Sequence, residues 1–269
     1  MIEWIAVIIL GIVEGLTEFL PVSSTGHLLL VEHLLNRVFG LPQRSDLFNT
    51  VIQCGAVLAV VMIFTDRAKQ LAFQWREPAT RQFLSKLIVA FFITAVGGVA
   101  MKKAGVRLPE TAGPVAWATL VGGFAIFALE RWVKGRPPQE GISWASAVGV
   151  GLAQLVAAAF PGTSRSAATI LAAMLVGTAR PAATEFSFLV GIPTLLSAGA
   201  LQVFSSLRHA PDQTPAPENW LHLIVAGVVA AATAFLVVRW LLRFVQTHTF
   251  IAFGWYRIAL GVAILLMIR

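Results

Sequence analysis

Ten apolar segments follow one another along this chain, at roughly 2–20, 28–36, 47–65, 84–101, 112–130, 142–160, 166–179, 185–206, 220–238 and 250–268. Those near nineteen residues are long enough, at about 1.5 Å per helical residue, to cross a hydrocarbon core of ~30 Å. Of 269 residues, 57% are hydrophobic and only 12% are charged, whereas soluble proteins carry about 25% charged residues. Too little polar surface remains to cover a water-facing exterior. The pattern predicts an all-α polytopic membrane protein, with 1–269 as a single membrane domain.

Two segments, 28–36 and 166–179, are too short to span. Each follows a polar motif: Glu14-Gly15-Leu16-Thr17-Glu18-Phe19-Leu20-Pro21-Val22-Ser23-Ser24-Thr25-Gly26-His27 before the first, and Phe160-Pro161-Gly162-Thr163-Ser164-Arg165-Ser166 before the second. A long arm, a Pro-containing break and a short returning arm read as a re-entrant helical hairpin. Broken backbone at membrane depth is tolerated only where protein buries it or it lines a cavity. The breaks also repeat. At an offset of 140, Pro21-Val22-Ser23-Ser24-Thr25 lies over Pro161-Gly162-Thr163-Ser164-Arg165, Glu14 over Gln154 and Gly11 over Gly151. Each half is then one hairpin plus three long runs, with repeat 1 over 1–131 (hairpin 2–36) and repeat 2 over 142–269 (hairpin 142–179). Three crossings per half is odd, so the second half enters from the opposite side. This predicts an inverted-topology repeat whose broken segments meet near the midplane.

Twenty Lys and Arg against thirteen Asp and Glu give a net charge of +7. In a soluble protein that excess would point to nucleic acid. Here the cations sit mainly in short loops, where membrane topology places them, and no nucleic-acid partner is expected. Segment 66–86 holds Arg67, Lys69, Arg76, Arg81 and Lys86; 131–141 adds Arg131, Lys134 and Arg136; 239–249 adds Arg239 and Arg243. Loop 207–219, with Arg208 against Asp212 and Glu218, is not basic. The first three are assigned to the cytoplasm, and both termini to the outside. Lys102, Lys103 and Arg107 fall on the external side and run against that majority. Cys54 is alone, which excludes a disulfide framework or thiolate metal cluster. The first apolar run carries Glu14 and Glu18 without a basic leader, unlike a cleavable signal.

An ionisable group at membrane depth costs at least ~2.5 kcal/mol and is a functional hypothesis by default. Glu14 and Glu18 are four apart, so they share a helix face. Paired carboxylates in an apolar surround repel each other, which favours holding a proton or a divalent cation. Ser23, Ser24 and Thr25 lead into Gly26 and His27 at a helix start, where serines cap orphan N–H groups or help bind an anion. His27 reads as a general acid/base or a phosphate-positioning group. In the second motif Gly162 lets backbone approach a ligand, and Thr163, Ser164 and Ser166 supply hydroxyls. Arg165 offers a planar fork for phosphate oxygens, or an ion pair with Glu14 or Glu18. The constellation points to a phosphorylated substrate. Ser24 is the candidate nucleophile, with Glu18 or His27 taking its proton; attack by water directly is the alternative.

Glu14-x-x-x-Glu18 leading into Phe19-Leu20-Pro21-Val22-Ser23-Ser24-Thr25-Gly26-His27, with Pro161-Gly162-Thr163-Ser164-Arg165-Ser166-x-x-Thr169, resembles the undecaprenyl pyrophosphate phosphatase family of the bacitracin-resistance type. The resemblance continues through Glu185-Phe186-Ser187-Phe188-Leu189-x-x-Ile192-Pro193 to the C-terminus. It implies hydrolysis of undecaprenyl diphosphate to the monophosphate lipid carrier of bacterial cell-wall synthesis plus inorganic phosphate, in the bacterial cytoplasmic (inner) membrane. It also implies Mg²⁺ or Ca²⁺, with Glu14 and Glu18 as ligands, and adds Thr169 to the substrate-binding set of Ser23, Thr25, Gly162, Thr163, Ser164 and Ser166. The acid-phosphatase-like membrane family is excluded. Its motif needs Pro-Ser-Gly-His and a His six residues past the arginine, where this chain has Ser24-Thr25-Gly26-His27 and Leu171.

The rival class is a secondary transporter or lipid flippase, because inverted repeats with broken helices are a transporter architecture. A transporter needs recognition groups, whereas hydrolysis needs a nucleophile, an acid/base and a charge clamp together, and this sequence offers all three. The expected partners are a polyprenyl diphosphate and membrane lipid, with a homodimer left open.

Overall fold

The structure is a computed structural model that describes residues 1–105, 111–208 and 219–268. Among them every regular element is a helix: α1 (Ile2–Thr17), α2 (Ser24–Phe39), α3 (Asp46–Ile63), α4 (Thr65–Phe73), α5 (Pro78–Lys103), α6 (Ala112–Val133), α7 (Trp144–Ala159), α8 (Arg165–Leu175), α9 (Arg180–Arg208), α10 (Trp220–Thr247) and α11 (Ile251–Met267). Five of them, Asp46–Ile63, Pro78–Lys103, Ala112–Val133, Arg180–Ser205 and Trp220–Thr247, are long and apolar enough to cross a membrane. The chain is a multi-pass membrane protein. Of the six crossings expected, α11 is the shortest, at 17 residues.

The outward faces are apolar. On α5, Ile88, Phe92, Val96 and Val99 are all exposed at helical spacing, the reverse of a helix facing water. Inside, helices approach through small residues, as bilayer-embedded helices do when no hydrophobic force drives them together. A Cβ at Gly11 of α1 would lie 2.6 Å from the Ala226 carbonyl of α10, and one at Gly151 of α7 would lie 2.9 Å from the Ala90 carbonyl of α5. α1 thus packs on α10, and α7 on α5.

Side-chain contacts fix which helix ends share a face. Trp4 meets His222 edge-on at 4.4 Å, which joins the N-terminal ends of α1 and α10. At the other face, Glu130 at the end of α6 pairs with Arg180 at the start of α9 and accepts the Phe250 N–H before α11 at 2.8 Å. Ser146 of α7 and Thr178 before α9 are hydrogen-bonded there at 2.7 Å. Arg67 joins that end too, 3.1 Å from Glu185.

Two features differ from the sequence reading. The returning arm expected over 28–36 begins at Ser24, because Ser23 caps it. Helix α4 starts at Thr65 and runs into the basic stretch 66–86; it buries no residue, so a search for apolar runs passes over it. Arg107, Asp212 and Glu218 lie outside the described residues.

Candidate active site

Both breaks end in the same local device. Ser23 (φ 77°, ψ 92°) and Ser164 (φ 68°, ψ 108°) are the non-glycine residues with positive φ among those described, and each is the N-cap of a returning helix. Their hydroxyls accept the N–H of Gly26 at 3.2 Å and of Ala167 at 3.3 Å. A non-glycine residue held there stores about 1–3 kcal/mol of strain. The cap, worth about 1 kcal/mol, offsets part of it. This geometry pairs Ser23 with Ser164, one residue out of the register that laid Ser24 over Ser164. Ser24 and Arg165 are therefore the equivalent first residues of α2 and α8, each at the positive end of a helix dipole.

The two breaks touch directly. Ser166 Oγ donates to the Leu20 carbonyl at 2.8 Å, Ser164 Oγ reaches the same oxygen at 3.5 Å, and the two hydroxyls lie 3.1 Å apart. Phe19 and Phe188 pack edge-on behind them at 5.1 Å. A guanidinium from α11 completes the junction. Arg257 is fully buried, and donates to Pro21 O (3.4 Å), Gly162 O (3.1 Å), Ala118 O (3.2 Å) and Thr119 O (3.1 Å).

On this junction Glu18 joins the two breaks chemically. Its Oε2 accepts the Ser24 hydroxyl at 2.8 Å, and its Oε1 lies 3.2 Å from Arg165 Nη2. Sharing one carboxylate keeps Ser24 Oγ and the guanidinium within about 9 Å of each other. Arg165 sits over the Phe19 ring, 5.4 Å from its centre. Its Nε and Nη1 are buried without a partner, as is Glu14 Oε2. Gly191 of α9 makes room for the guanidinium, since a Cβ there would run into Nη1.

His27 sits differently from a free base. Nδ1 is 2.7 Å from the Ser23 carbonyl, and Nε2 is 2.7 Å from the Tyr256 hydroxyl. A carbonyl can only accept, so in the neutral ring Nδ1 carries the proton and Nε2 accepts from Tyr256. The rings stack with 8° between their planes. The imidazole ties the first break to α11.

The remaining candidates divide. Thr25 is exposed and lines a cavity. Thr163 donates to Phe160 O at 2.7 Å, Thr169 to Arg165 O at 2.8 Å, and Ser166 to Leu20 O; these hydroxyl protons are committed to backbone. Gly162 (φ 95°) packs against Val115, and its carbonyl receives Thr119 and Arg257. The cavity, of about 460 Å³, is walled by Glu14, Ser24, Thr25, Glu32, Arg44 and Asn49 among others. A second cavity of about 420 Å³, beside Pro137 and Pro138 at the other face, has none of the candidate residues in its walls.

The sequence reading missed Arg257, Tyr256 and Glu32. For Arg257 and Glu32 the signal was present: each is an ionisable residue in an apolar segment, the criterion that picked out Glu14 and Glu18.

These features define a class: a polytopic helical membrane protein whose polar site is assembled from two helix breaks and lies inside the bundle. The family model described as "Bacitracin resistance protein BacA" matches residues 7–263, and the chain belongs to that family. It is 49% identical over 264 residues to a Rhizobium johnstonii protein named undecaprenyl-diphosphatase, covering 98% of this chain and 96% of the relative. A Xylella fastidiosa protein of the same name is 49% identical over 266 residues, covering 98% of each. One from Xanthomonas euvesicatoria is 46% identical over 267, covering 99% of this chain and 97% of the relative.

Proposed function

We propose that this chain hydrolyses undecaprenyl diphosphate to undecaprenyl phosphate and inorganic phosphate, recycling the lipid carrier of cell-wall synthesis. The observation that carries the reading is the Ser24–Glu18–Arg165 chain of contacts, in which Arg165 keeps two buried donors unspent. Full-length relatives named for the same activity support it. Bacitracin resistance follows, because hydrolysis removes the diphosphate that the antibiotic sequesters.

In the proposed reaction Ser24 Oγ attacks the terminal phosphorus and its proton passes to Glu18 Oε2. The bond from phosphorus to the bridging oxygen breaks, and the lipid monophosphate leaves. Glu18 gives that proton to the departing monophosphate and is again a carboxylate. Water then attacks the phosphoserine, its proton passes to Glu18, and Glu18 returns it to Ser24 Oγ as inorganic phosphate leaves. Phosphoryl transfer depends mostly on in-line positioning and charge neutralisation. Arg165 and the N-terminal end of α2 supply that charge stabilisation. Its contact with the Ser24 hydroxyl makes Glu18 the better base, and the bonds of His27 to Ser23 and Tyr256 suit it to positioning. A bound Mg²⁺ or Ca²⁺ supplies further neutralisation of the diphosphate, and Glu14 has a free oxygen for it.

The α1–α2 and α7–α8 pairs are read as re-entrant hairpins in an inverted repeat. Support comes from the matching serine caps, the exchanged packing of α1 on α10 and α7 on α5, and the opposite faces at which α1 and α7 begin. With the basic face cytoplasmic, both termini and the mouth of the Ser24 cavity are external, and the membrane is the bacterial inner one.

The deciding experiment is phosphate release from a polyprenyl diphosphate by purified protein in detergent. Ser24→Ala abolishes turnover in this reading. Retention of more than about a tenth of the rate, a loss under ~1.4 kcal/mol, would replace serine attack by direct attack of water.

A further inference from the structure

The two serine-capped breaks part company at one carbonyl. In the second, the Ser164 carbonyl accepts the main-chain N–H of Ala168 at 2.9 Å, an ordinary first helical bond. In the first, His27 stands where Ala168 does, and its main-chain N–H reaches the Ser23 carbonyl only at 3.3 Å. Its imidazole Nδ1 takes that oxygen instead, at 2.7 Å. This carbonyl belongs to the peptide that joins Ser23 to Ser24. The plane of that peptide is set by ψ of Ser23, 92° beside a φ of 77°, and by φ of Ser24. It therefore decides where the Ser24 hydroxyl stands against Glu18, 2.8 Å away. On the half that carries the candidate nucleophile, a side chain does the holding that the helix ladder does on the other.

Nδ1 holds a carbonyl only while it carries a proton. Neutral imidazole in water favours the other tautomer, and in a protein the choice is set by what the second nitrogen meets. Here Nε2 meets the Tyr256 hydroxyl at 2.7 Å, under a ring stack that is parallel to within 8°. With the proton on Nε2, the Nδ1 lone pair would face the Ser23 oxygen at 2.7 Å, acceptor against acceptor. We infer that Tyr256 is a positioning residue of the site. Its hydroxyl donates to Nε2, keeps the proton on Nδ1, and through Nδ1 fixes the Ser23–Ser24 peptide and the aim of the nucleophile. Both imidazole nitrogens are spent in that chain, so His27 works on the backbone and takes no proton from Ser24 or water. The inference rests on serine attack in the hydrolase reading, and its first test needs no turnover.

That test is nitrogen NMR of isotope-labelled histidine rings in the purified protein in detergent at about pH 8, where an ordinary imidazole is neutral. The His27 signals are those lost in His27→Asn or His27→Gln. The wild-type ring is expected to carry its proton on Nδ1. Tyr256→Phe keeps the ring and loses the hydroxyl, and a measurable fraction of the proton should move to Nε2. The second arm is phosphate release from a polyprenyl diphosphate, with thermal melting of every variant. Tyr256→Phe is expected to lower kcat about tenfold with KM changed less than about threefold. Asparagine keeps an N–H near the Nδ1 position and offers Tyr256 nothing, whereas glutamine reaches toward Nε2. His27→Asn should therefore outperform His27→Gln by about fivefold or more, and within His27→Asn the further change Tyr256→Phe should cost less than about twofold. The inference is overturned if the wild-type proton sits on Nε2, if Nδ1 stays fully protonated in Tyr256→Phe, or if Tyr256→Phe costs as much in the asparagine background as in wild type. The NMR result decides if His27→Asn fails to fold. Phosphate release by the wild-type preparation separates failure of this chain of bonds from failure of the hydrolase reading.

Discussion

Replacing Arg257 should harm catalysis far more than stability, and the bonds of its guanidinium say why. Of its four acceptors, Ala118 O and Thr119 O lie inside α6 and keep their intrahelical N–H partners. Gly162 O keeps a share of the Thr119 hydroxyl at 3.2 Å, whose single proton also points to Val115 O at 2.8 Å. Only Pro21 O, 3.4 Å from Nη1, loses the partner that tied it to α11. In Arg257→Met that single buried carbonyl costs about 1–3 kcal/mol. Removing a fully buried charge with no carboxylate beside it among the described residues returns part of this. The net loss of stability is therefore modest, about 2 kcal/mol at most.

The catalytic loss has a different origin. Arg257 bridges the carbonyls of Pro21 and Gly162, one in each break, and Ser24 and Arg165 each follow within three residues. A shift of about 1 Å between reacting groups costs on the order of 10²-fold in rate. Arg257→Met is thus expected to lower kcat about a hundredfold with KM little changed, as for a group that positions without touching substrate. Arg257→Lys should fare no better, because a point charge cannot span carbonyls in different directions. The assay is phosphate release from a polyprenyl diphosphate in detergent, paired with thermal melting of the same samples. Turnover within about threefold of wild type in the Met variant, less than ~0.7 kcal/mol in the barrier, would refute the claim that this tie sets the register of the two breaks.

Gly191→Ala should raise helix propensity by about 1 kcal/mol yet push Arg165 off Glu18, so melting temperature and activity should move in opposite directions. Ser23→Gly removes the strain of φ 77° at a cost of a few tenths of a kcal/mol in capping, and should hold or raise the melting temperature. Ser23→Ala keeps the strain and loses the cap, and should lower stability by about 1 kcal/mol.

Much of this arrangement was legible because charge is expensive in hydrocarbon. Glu14, Glu18, His27 and Arg165 stood out against apolar runs, and proline, glycine and serine marked where the helices had to stop. The same rule applied to Glu32 and Arg257, which were passed over because no recognisable motif surrounds them. Register failed for a physical reason: the repeat was aligned on Pro21 and Pro161, but the equivalence is fixed by which serine takes the left-handed backbone, and side-chain identity does not report φ. The roles of Thr163, Ser166 and Thr169 were hidden for a related reason. Their type as donors could be read, but their acceptors are carbonyls, which every residue has.

That choice of acceptor has a genetic consequence. Beside the side-chain pairs Glu18–Arg165 and His27–Tyr256, three of the hydrogen bonds that tie the breaks to each other and to α11 end on main-chain oxygens of Leu20, Pro21 and Gly162. Each has one mutable partner and one that substitution does not remove. Changes at Ser166 or Arg257 therefore have no suppressor available as a changed side chain at residue 20, 21 or 162, and compensation has to come from moved backbone. Paired substitutions in a covariation map would report the junction through Glu18–Arg165 and His27–Tyr256, and would leave these three bonds unseen.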